Sequence, residues 1–151
     1  MKSILVKFLF PLLILAFSCA KDTQSGNPVP YVAVNVTIDT DNPLYIDLQR
    51  EGGFVYLDNV GNKGIVVIHD FSDNFWAFDR TCTYHITSPC GKVMMATSGL
   101  NLVCGTYSGK TLDACCASTY SLSGTVTHGP ATYDLRHYNI NASGNVITIT
   151  N

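Results

Sequence analysis

The chain has 151 residues, of which 46% are hydrophobic and only 13% are charged, and its formal net charge is −2 at neutral pH. These proportions provide enough apolar side chains for a core and argue against intrinsic disorder. The sequence contains no basic patch or stripe, so nucleic acid is not an expected partner.

The first 18 residues have the order of a secretory signal. Lys2 and Lys7 form a short basic region, residues 8–17 are mainly apolar, and a cysteine follows at position 19. The apolar stretch is too short to span a membrane as a helix. With Cys19 at the cleavage site, the segment resembles a bacterial lipoprotein signal, in which residues 1–18 are removed and Cys19 is lipidated. The alternative is an ordinary cleaved signal with an incidental cysteine.

Residues 19–30 are polar and rich in Gly and Pro, which is typical of a flexible tether. Residues 31–151 have a usual length for one domain with its own core. Without Lys2 and Lys7 the chain keeps 7 basic residues against 11 acidic ones, a net charge of about −4. We therefore expect one domain in the cell envelope, periplasmic or surface-exposed and anchored to a bacterial membrane by acyl chains.

The domain has the periodicity of short strands. Five runs are rich in β-branched and aromatic residues and are bounded by Gly, Asn, Asp or Pro. They are Val32–Ile38, Gly53–Leu57, Gly64–His69, Phe75–Phe78 and Asn145–Thr150. Turn residues separate neighbouring runs, and only Pro43–Gln49 predicts a helical turn or two. The pattern predicts an all-β domain of short antiparallel strands, arranged as a sandwich or barrel.

Two cysteine-bearing segments follow in the second half of the domain. The first contains Cys82, Tyr84 and His85, with Cys90 shortly after them. The second, residues 112–120, contains Asp113 and the adjacent cysteines 115 and 116, and it runs on to the sequence Gly-Thr-Val-Thr-His-Gly-Pro-Ala at positions 124–131.

This two-loop layout resembles that of Rieske iron-sulfur domains. In that family one loop carries Cys-x-His, the other carries Cys-x-x-His, and a Gly-x-Val-x-x-Gly-Pro-Ala stretch leads into the last strands. Residues 124–131 fit this stretch at every fixed position. The resemblance covers roughly residues 31–151 and implies a Rieske-like domain whose inserted two-loop, cluster-binding subdomain spans about 80–128.

The chain is most similar to a set of Rieske-like lipoproteins of the Bacteroidetes type. Three segments match that set. They are Pro-Tyr-Val-Ala-Val at 30–34, Gly-Gly-Phe-Val-Tyr at 52–56 and Asp-Ala-Cys-Cys at 113–116. What those proteins do is largely unassigned, so the resemblance implies a shape more than an activity.

The resemblance also assigns the cluster-ligand positions. Cys82 and Tyr84 fall on the first cysteine and histidine, whereas Asp113 and Cys116 fall on the second cysteine and histidine. A Rieske centre binds one iron through two thiolates and the other through two imidazoles. The family implies a [2Fe-2S] cluster, but here the ligands are non-standard, and an ordinary Rieske cluster is not expected. His85 is the nearby imidazole that could substitute.

One interpretation of the remaining cysteines is disulfide bonding, which an oxidising compartment favours. Some Rieske domains carry a disulfide between the two loops, and the resemblance places Cys115 at its second position with Cys90 as partner. Cys82 and Cys116 could then close a second bond across the cluster position. Cys104 would be a buried apolar filler.

Two other interpretations stay open. Cys-x-x-His spacing makes a tetrahedral zinc conceivable, held by Cys82, His85, Cys116 and either Asp113 or Cys115. An iron-sulfur cluster with mixed ligands is the other form of this metal site. Alternatively, the adjacent thiols at 115 and 116 could exchange with the disulfide of a partner.

The sequence shows no nucleophile elbow, phosphate loop or pair of catalytic carboxylates, so we do not expect an enzyme. Two functions remain. The protein is either an electron-transfer or metal-binding module that meets a redox or envelope protein partner at its loop tips, or a cofactor-less scaffold that is stabilised by disulfides and serves structure or interaction.

Overall fold

The computed structural model describes residues 26–151, so the predicted signal, Cys19 and most of the tether lie outside the described residues. Within this range the domain is all-β, as predicted, with ten strands and a single turn of 3-10 helix. In chain order the elements are β1 (Asn35–Asp39), the 3-10 helix (Ile46–Gln49), β2 (Phe54–Leu57), β3 (Ile65–His69), β4 (Phe75–Asp79), β5 (Val93–Met95), β6 (Leu102–Ser108), β7 (Thr111–Tyr120), β8 (Val126–His128), β9 (Asn139–Ser143) and β10 (Val146–Thr150). None of the helical structure between residues 26 and 151 has the length and apolar character that crossing a membrane requires.

The strands form three antiparallel sheets. The first sheet has the order β1-β10-β9 and joins the two ends of the domain, since Ile38 pairs with Ile147. The second has the order β2-β3-β4, and the third has the order β5-β6-β7-β8. The third sheet contains the second cysteine segment.

Strand β3 lies between two hydrophobic cores, and all five of its residues are buried. Successive side chains of a strand point to opposite faces. Ile65 and Val67 therefore pack in a core with residues of the first sheet, whereas Val66 and Ile68 pack in a second core with residues of the third sheet. An unbroken apolar run is what a strand covered on both faces requires.

A buried carboxylate fixes the end of β4, from which the first cysteine segment departs. Asp79 is fully buried, and its oxygens accept the backbone N–H groups of Asn62 at 2.6 Å and Thr81 at 2.9 Å. The same carboxylate accepts the hydroxyl of Tyr138 at 2.9 Å. These bonds tie β4 to the turn before β3 and to the C-terminal part of the chain.

The predicted strands all form, with small changes at their ends. The first of them begins at Asn35 instead of Val32, and the predicted helical turn is confined to the 3-10 helix Ile46–Gln49. The expectation that residues 112–120 form a loop is wrong, because they lie in the long strand β7. Pairing with β6 imposes this conformation on a stretch that has little β propensity of its own.

Candidate metal centre

The first cysteine segment is a loop of residues 80–92 between β4 and β5. The ammonium group of Lys63 holds this loop together. Its Nζ donates to the carbonyl oxygens of Ser88 at 2.6 Å, Gly91 at 3.0 Å and His85 at 3.4 Å. The side chain of Lys63, which lies outside the loop, therefore binds three carbonyl groups of the loop.

Cys82 is fully buried at the start of this loop. Its N–H donates to the carbonyl of Gly91 at 3.1 Å, which closes the loop at its base. Its Sγ lies 3.6 Å from the hydroxyl of Tyr120, and that hydroxyl lies 3.0 Å from Oγ1 of Thr83. These contacts place the thiol against the third sheet.

The pairing of β6 with β7 contains a large irregularity. Gly105 pairs with Ala114, whereas Val103 pairs with Thr119. Two steps along β6 therefore correspond to five steps along β7. Three extra residues in β7 must bulge out of the sheet.

The bulge comprises residues 115–118, which lie opposite Cys104 alone. Gly105 permits it, since its φ is +153° and a Cβ at this position would come within 2.4 Å of the carbonyl oxygen of Asp113. Only glycine tolerates so close an approach. Cys104 lies on β6, which pairs with β5 on one side and with β7 on the other. As a result it lies opposite the bulge of β7 that carries Cys116.

Three thiols meet at this point. The Sγ atoms of Cys82, Cys104 and Cys116 all lie within 4.8 Å of one another, and we call them the three-thiol cluster. Cys82 and Cys104 are fully buried, whereas Cys116 is partly exposed. The Sγ of Cys116 also lies 3.2 Å from Oγ of Ser118, which accepts the N–H of Ala131 at 2.9 Å.

The pKa values of the two buried thiols in the cluster are shifted in opposite directions. A hydrogen bond from Cys104 lowers the pKa of Cys82 to about 5 in spite of burial, with help from the backbone N–H groups of His85 and Tyr84. The same bond, together with burial, raises the pKa of Cys104. Of the two buried thiols, Cys82 is therefore the one whose thiolate form is favoured, and the thiolate is the form that binds a metal.

A disulfide ties the first loop to the bulge. Cys90 and Cys115 are bonded, with their Cα atoms 5.3 Å apart, and this is the pairing that the resemblance implies. The second predicted bond, between Cys82 and Cys116, is not formed, because their Sγ atoms lie 3.7 Å apart and a disulfide needs about 2.0 Å. Cys115 is thereby unavailable both as a zinc ligand and as a free exchanging thiol.

The other predicted ligands lie outside the three-thiol cluster. Tyr84 is 51% exposed, and its ring packs edge-on against His85 at 4.6 Å between ring centres. Asp113 is an exposed residue of β7 opposite Thr106. The structure thus brings together two of the four predicted ligand positions, Cys82 and Cys116.

Sequence reasoning missed Cys104 as a member of the site. Its only signal was the odd number of cysteines after position 19, since pairing Cys90 with Cys115 leaves three thiols in the described part of the chain. The residue enters the site through the β6–β7 irregularity, which no local pattern indicates.

The site does not fit the ligand set of an ordinary Rieske centre. Two imidazoles must bind one of the two irons. Within residues 26–151, the group of close potential ligands contains three cysteines and no histidine or carboxylate. The donor set is that of a thiolate site.

No protein-family model matches the chain, and no curated protein matches it. Solved structures, in contrast, match the chain. The cyanobacterial plasma membrane Rieske protein PetC3 from Synechocystis PCC 6803 superposes with a TM-score of 0.53 at 24% identity, covering 77% of this chain and 99% of that protein. The ferredoxin of carbazole 1,9a-dioxygenase from Nocardioides aromaticivorans IC177 gives a TM-score of 0.49 at 16% identity, covering 80% of this chain and 98% of that one. The three sheets and the two joined cysteine segments therefore constitute a Rieske-like fold.

Proposed function

We propose that the protein is a lipid-anchored component of the bacterial cell envelope that binds a metal through non-standard, thiolate-rich ligands and serves in electron transfer without an enzymatic activity of its own. The three-thiol cluster carries this proposal, because it gathers three soft donors within 4.8 Å where both cysteine segments meet. The likeness of the fold to a plasma membrane Rieske protein supports the same role.

The surroundings of the cluster suit contact with a redox partner. Cys116 is partly exposed. Two exposed tyrosines are close by, since Tyr84 lies on the first loop and Tyr133 lies beside it. Tyr84 follows Thr83 in the chain, and Oγ1 of Thr83 donates to the carbonyl of Tyr133 at 2.7 Å. Exposed aromatic rings beside a redox site provide an apolar surface for the brief contact that such partners make.

The membrane attachment belongs to the same proposal and has its own test. If Cys19 is lipidated, the wild-type protein will be found in the membrane fraction of the producing bacterium and will incorporate labelled fatty acid. The Cys19→Ser variant will do neither. A wild-type protein that incorporates no label, or a variant that incorporates as much as the wild type, would remove lipidation of Cys19 from the proposal.

A second candidate function is a cofactor-less scaffold. The disulfide between Cys90 and Cys115 favours it, since the two cysteine segments are already joined without a metal. Cys82 and Cys104 also pack in the second hydrophobic core, where thiols are common apolar fillers.

Metal analysis with visible absorption separates the two functions. The full-length protein is purified anaerobically in detergent from cells grown with iron, zinc and copper. The electron-transfer proposal predicts a redox-active metal and an absorption band that changes on reduction. The Cys90→Ala/Cys115→Ala variant is the control, because it removes the disulfide and leaves the three thiols. Protein that contains no metal, before or after reconstitution, would favour the scaffold.

A further inference from the structure

We propose that Cys82, Cys104 and Cys116 bind a single thiophilic divalent cation, in place of the two-iron cluster that a Rieske-like fold suggests. This inference rests on the proposed function, whose metal it specifies. It differs from the ligand set that the sequence predicts, because Cys104 replaces both Tyr84 and Asp113.

The spacing of the sulfur atoms fits one ion. Thiolates bind zinc at about 2.3 Å, so two thiolates on one tetrahedral ion lie about 3.8 Å apart. The Sγ atoms of Cys82 and Cys116 are 3.7 Å apart, and Cys104 lies within 4.8 Å of both. A [2Fe-2S] cluster instead needs two separate pairs of ligands, one for each iron. Three donors that converge on one point provide a single pair at most, with one donor in excess.

The chemistry of the donors limits which ions can bind. Thiolates select soft and borderline ions such as Zn(II), Fe(II) and Cu(I), whereas Mg(II) and Ca(II) require oxygen donors. The cluster offers three sulfur donors, and within the described residues no histidine or carboxylate joins this group. Hard cations are therefore excluded from the site.

The charge balance favours a divalent ion. Three thiolates and a divalent cation have a net charge of about −1, which is costly to bury unless a positive group lies nearby. The ammonium of Lys63 donates to the carbonyl oxygen of Gly91, which is the same oxygen that accepts the N–H of Cys82, so a positive charge lies near the cluster. Lys63 thus offsets the charge of a divalent complex, whereas Cu(I) would leave a further negative charge unbalanced.

Neutral groups border the remaining side of the ion. The hydroxyl of Tyr120 lies 3.6 Å from the Sγ of Cys82, and Oγ of Ser118 lies 3.2 Å from the Sγ of Cys116. Cys116 is also partly exposed to solvent. A fourth ligand would be a hydroxyl group or water, so the site adds no further charge.

The test is a metal titration of the full-length protein in detergent. The protein is stripped of metal, kept reduced and anaerobic, and titrated separately with Co(II), Zn(II) and Fe(II) in the absence of sulfide. Co(II) serves as the optical probe, because thiolate ligands give it intense charge-transfer bands. We expect one equivalent of each ion per chain, with Zn(II) displacing Co(II).

Cys104 distinguishes this site from a Rieske ligand set, because it occupies none of the four family ligand positions. The Cys104→Ala variant should lower the affinity for Co(II) by at least about 10-fold, since loss of a direct ligand costs no less than loss of an outer-shell partner. Tyr84→Phe and Asp113→Asn should leave the affinity unchanged. These two residues are exposed, so their variants keep the test decisive even if Cys104→Ala fails to fold.

The outcomes separate the inference from the proposed function. If a parallel reconstitution with Fe(II) and sulfide assembles two irons with bridging sulfide per chain, or if Tyr84→Phe and Asp113→Asn abolish binding, the single-ion site is overturned and electron transfer stands. If Zn(II) binds at one equivalent but Fe(II) does not, the single-ion site stands and electron transfer is overturned. If no ion binds to the folded protein, both are overturned.

Discussion

Lys63 donates from Nζ to the carbonyl oxygen of Ser88 at 2.6 Å, although the two residues are 25 positions apart in the chain. This bond and the two beside it hold the first loop, and hydrogen bonds that involve a charged group stabilise by about 1.5–3 kcal/mol each. We expect Lys63→Met to lower the free energy of unfolding by about 1–3 kcal/mol, measured by urea denaturation. Lys110→Met, an exposed change in the β6–β7 turn, should leave it nearly unchanged. Equal effects of the two variants would contradict this role of Lys63.

The buried carboxylate of Asp79 supports the next prediction. Replacing it with Asn leaves one oxygen and adds an NH2 group among donors from Asn62, Thr81 and Tyr138. Asp79→Asn should therefore destabilise the fold by about 2–4 kcal/mol. Tyr138→Phe removes one donor and should cost only about 1 kcal/mol. Chemical denaturation of both variants at neutral pH tests the order, and a larger loss for Tyr138→Phe would refute it.

The disulfide makes a prediction about both stability and thiol content. Cys90 and Cys115 close a loop with a sequence separation of 25, so the Cys90→Ala/Cys115→Ala variant should lose about 2–4 kcal/mol of stability. In the unfolded but unreduced protein, alkylation followed by peptide mass analysis should label Cys82, Cys104 and Cys116 and leave Cys90 and Cys115 unlabelled. Label on Cys90, or protection of Cys82 together with Cys116, would show a different pairing.

A pH dependence follows from Asp70. Burial alone would raise the pKa of this carboxyl, but donation from the indole N–H of Trp76 and from the backbone of Asn74 and Ser72 holds the pKa below its ordinary value of 3.8. Because the pKa is lower in the folded state, ionised Asp70 stabilises the fold at neutral pH, and this contribution is lost as the pH falls through the folded pKa.

The Asp70→Asn variant tests this dependence. Its free energy of unfolding should lie below that of the wild type at neutral pH, and the two values should converge as the pH falls below about 4. Fluorescence of Trp76, the only tryptophan in the chain, reports unfolding next to the altered bond. Asp113→Asn is the matched control on an exposed carboxylate. A difference between Asp70→Asn and wild type that is the same at every pH would exclude a role for ionisation.

The strands that the sequence predicts are those in which local pattern and burial agree. Residues 65–68 of β3 form an unbroken apolar run because both faces are covered, and the alternation in β10 matches its single buried face. Strand β7 shows no such pattern, since its Cys, Ala, Ser and Thr residues suit a loop as well as a strand. Pairing with β6 decides its conformation, and that pairing is not visible in the local sequence.

The same distinction holds for the candidate site. The family resemblance identifies Cys82 and Cys116, because their positions are set by short motifs. Cys104 lies before the second segment and joins them only because β7 has three more residues than β6 between two paired positions. A count of residues along one strand relative to its neighbour is a property of the folded sheet, so sequence reasoning assigned Cys104 to the core and chose Tyr84 and Asp113 instead.

Strand β3 has a consequence for how the molecule responds to a bound ion. Val66 and Val67 are neighbours in the chain, yet one packs in the core that contains Cys82 and Cys104 and the other packs in the core under the first sheet. Neither core can come apart without exposing this shared strand, so the two should melt in a single cooperative transition. An ion held at the thiols would then raise the melting temperature of the whole domain, including the pairing of β1 with β10 at its far side.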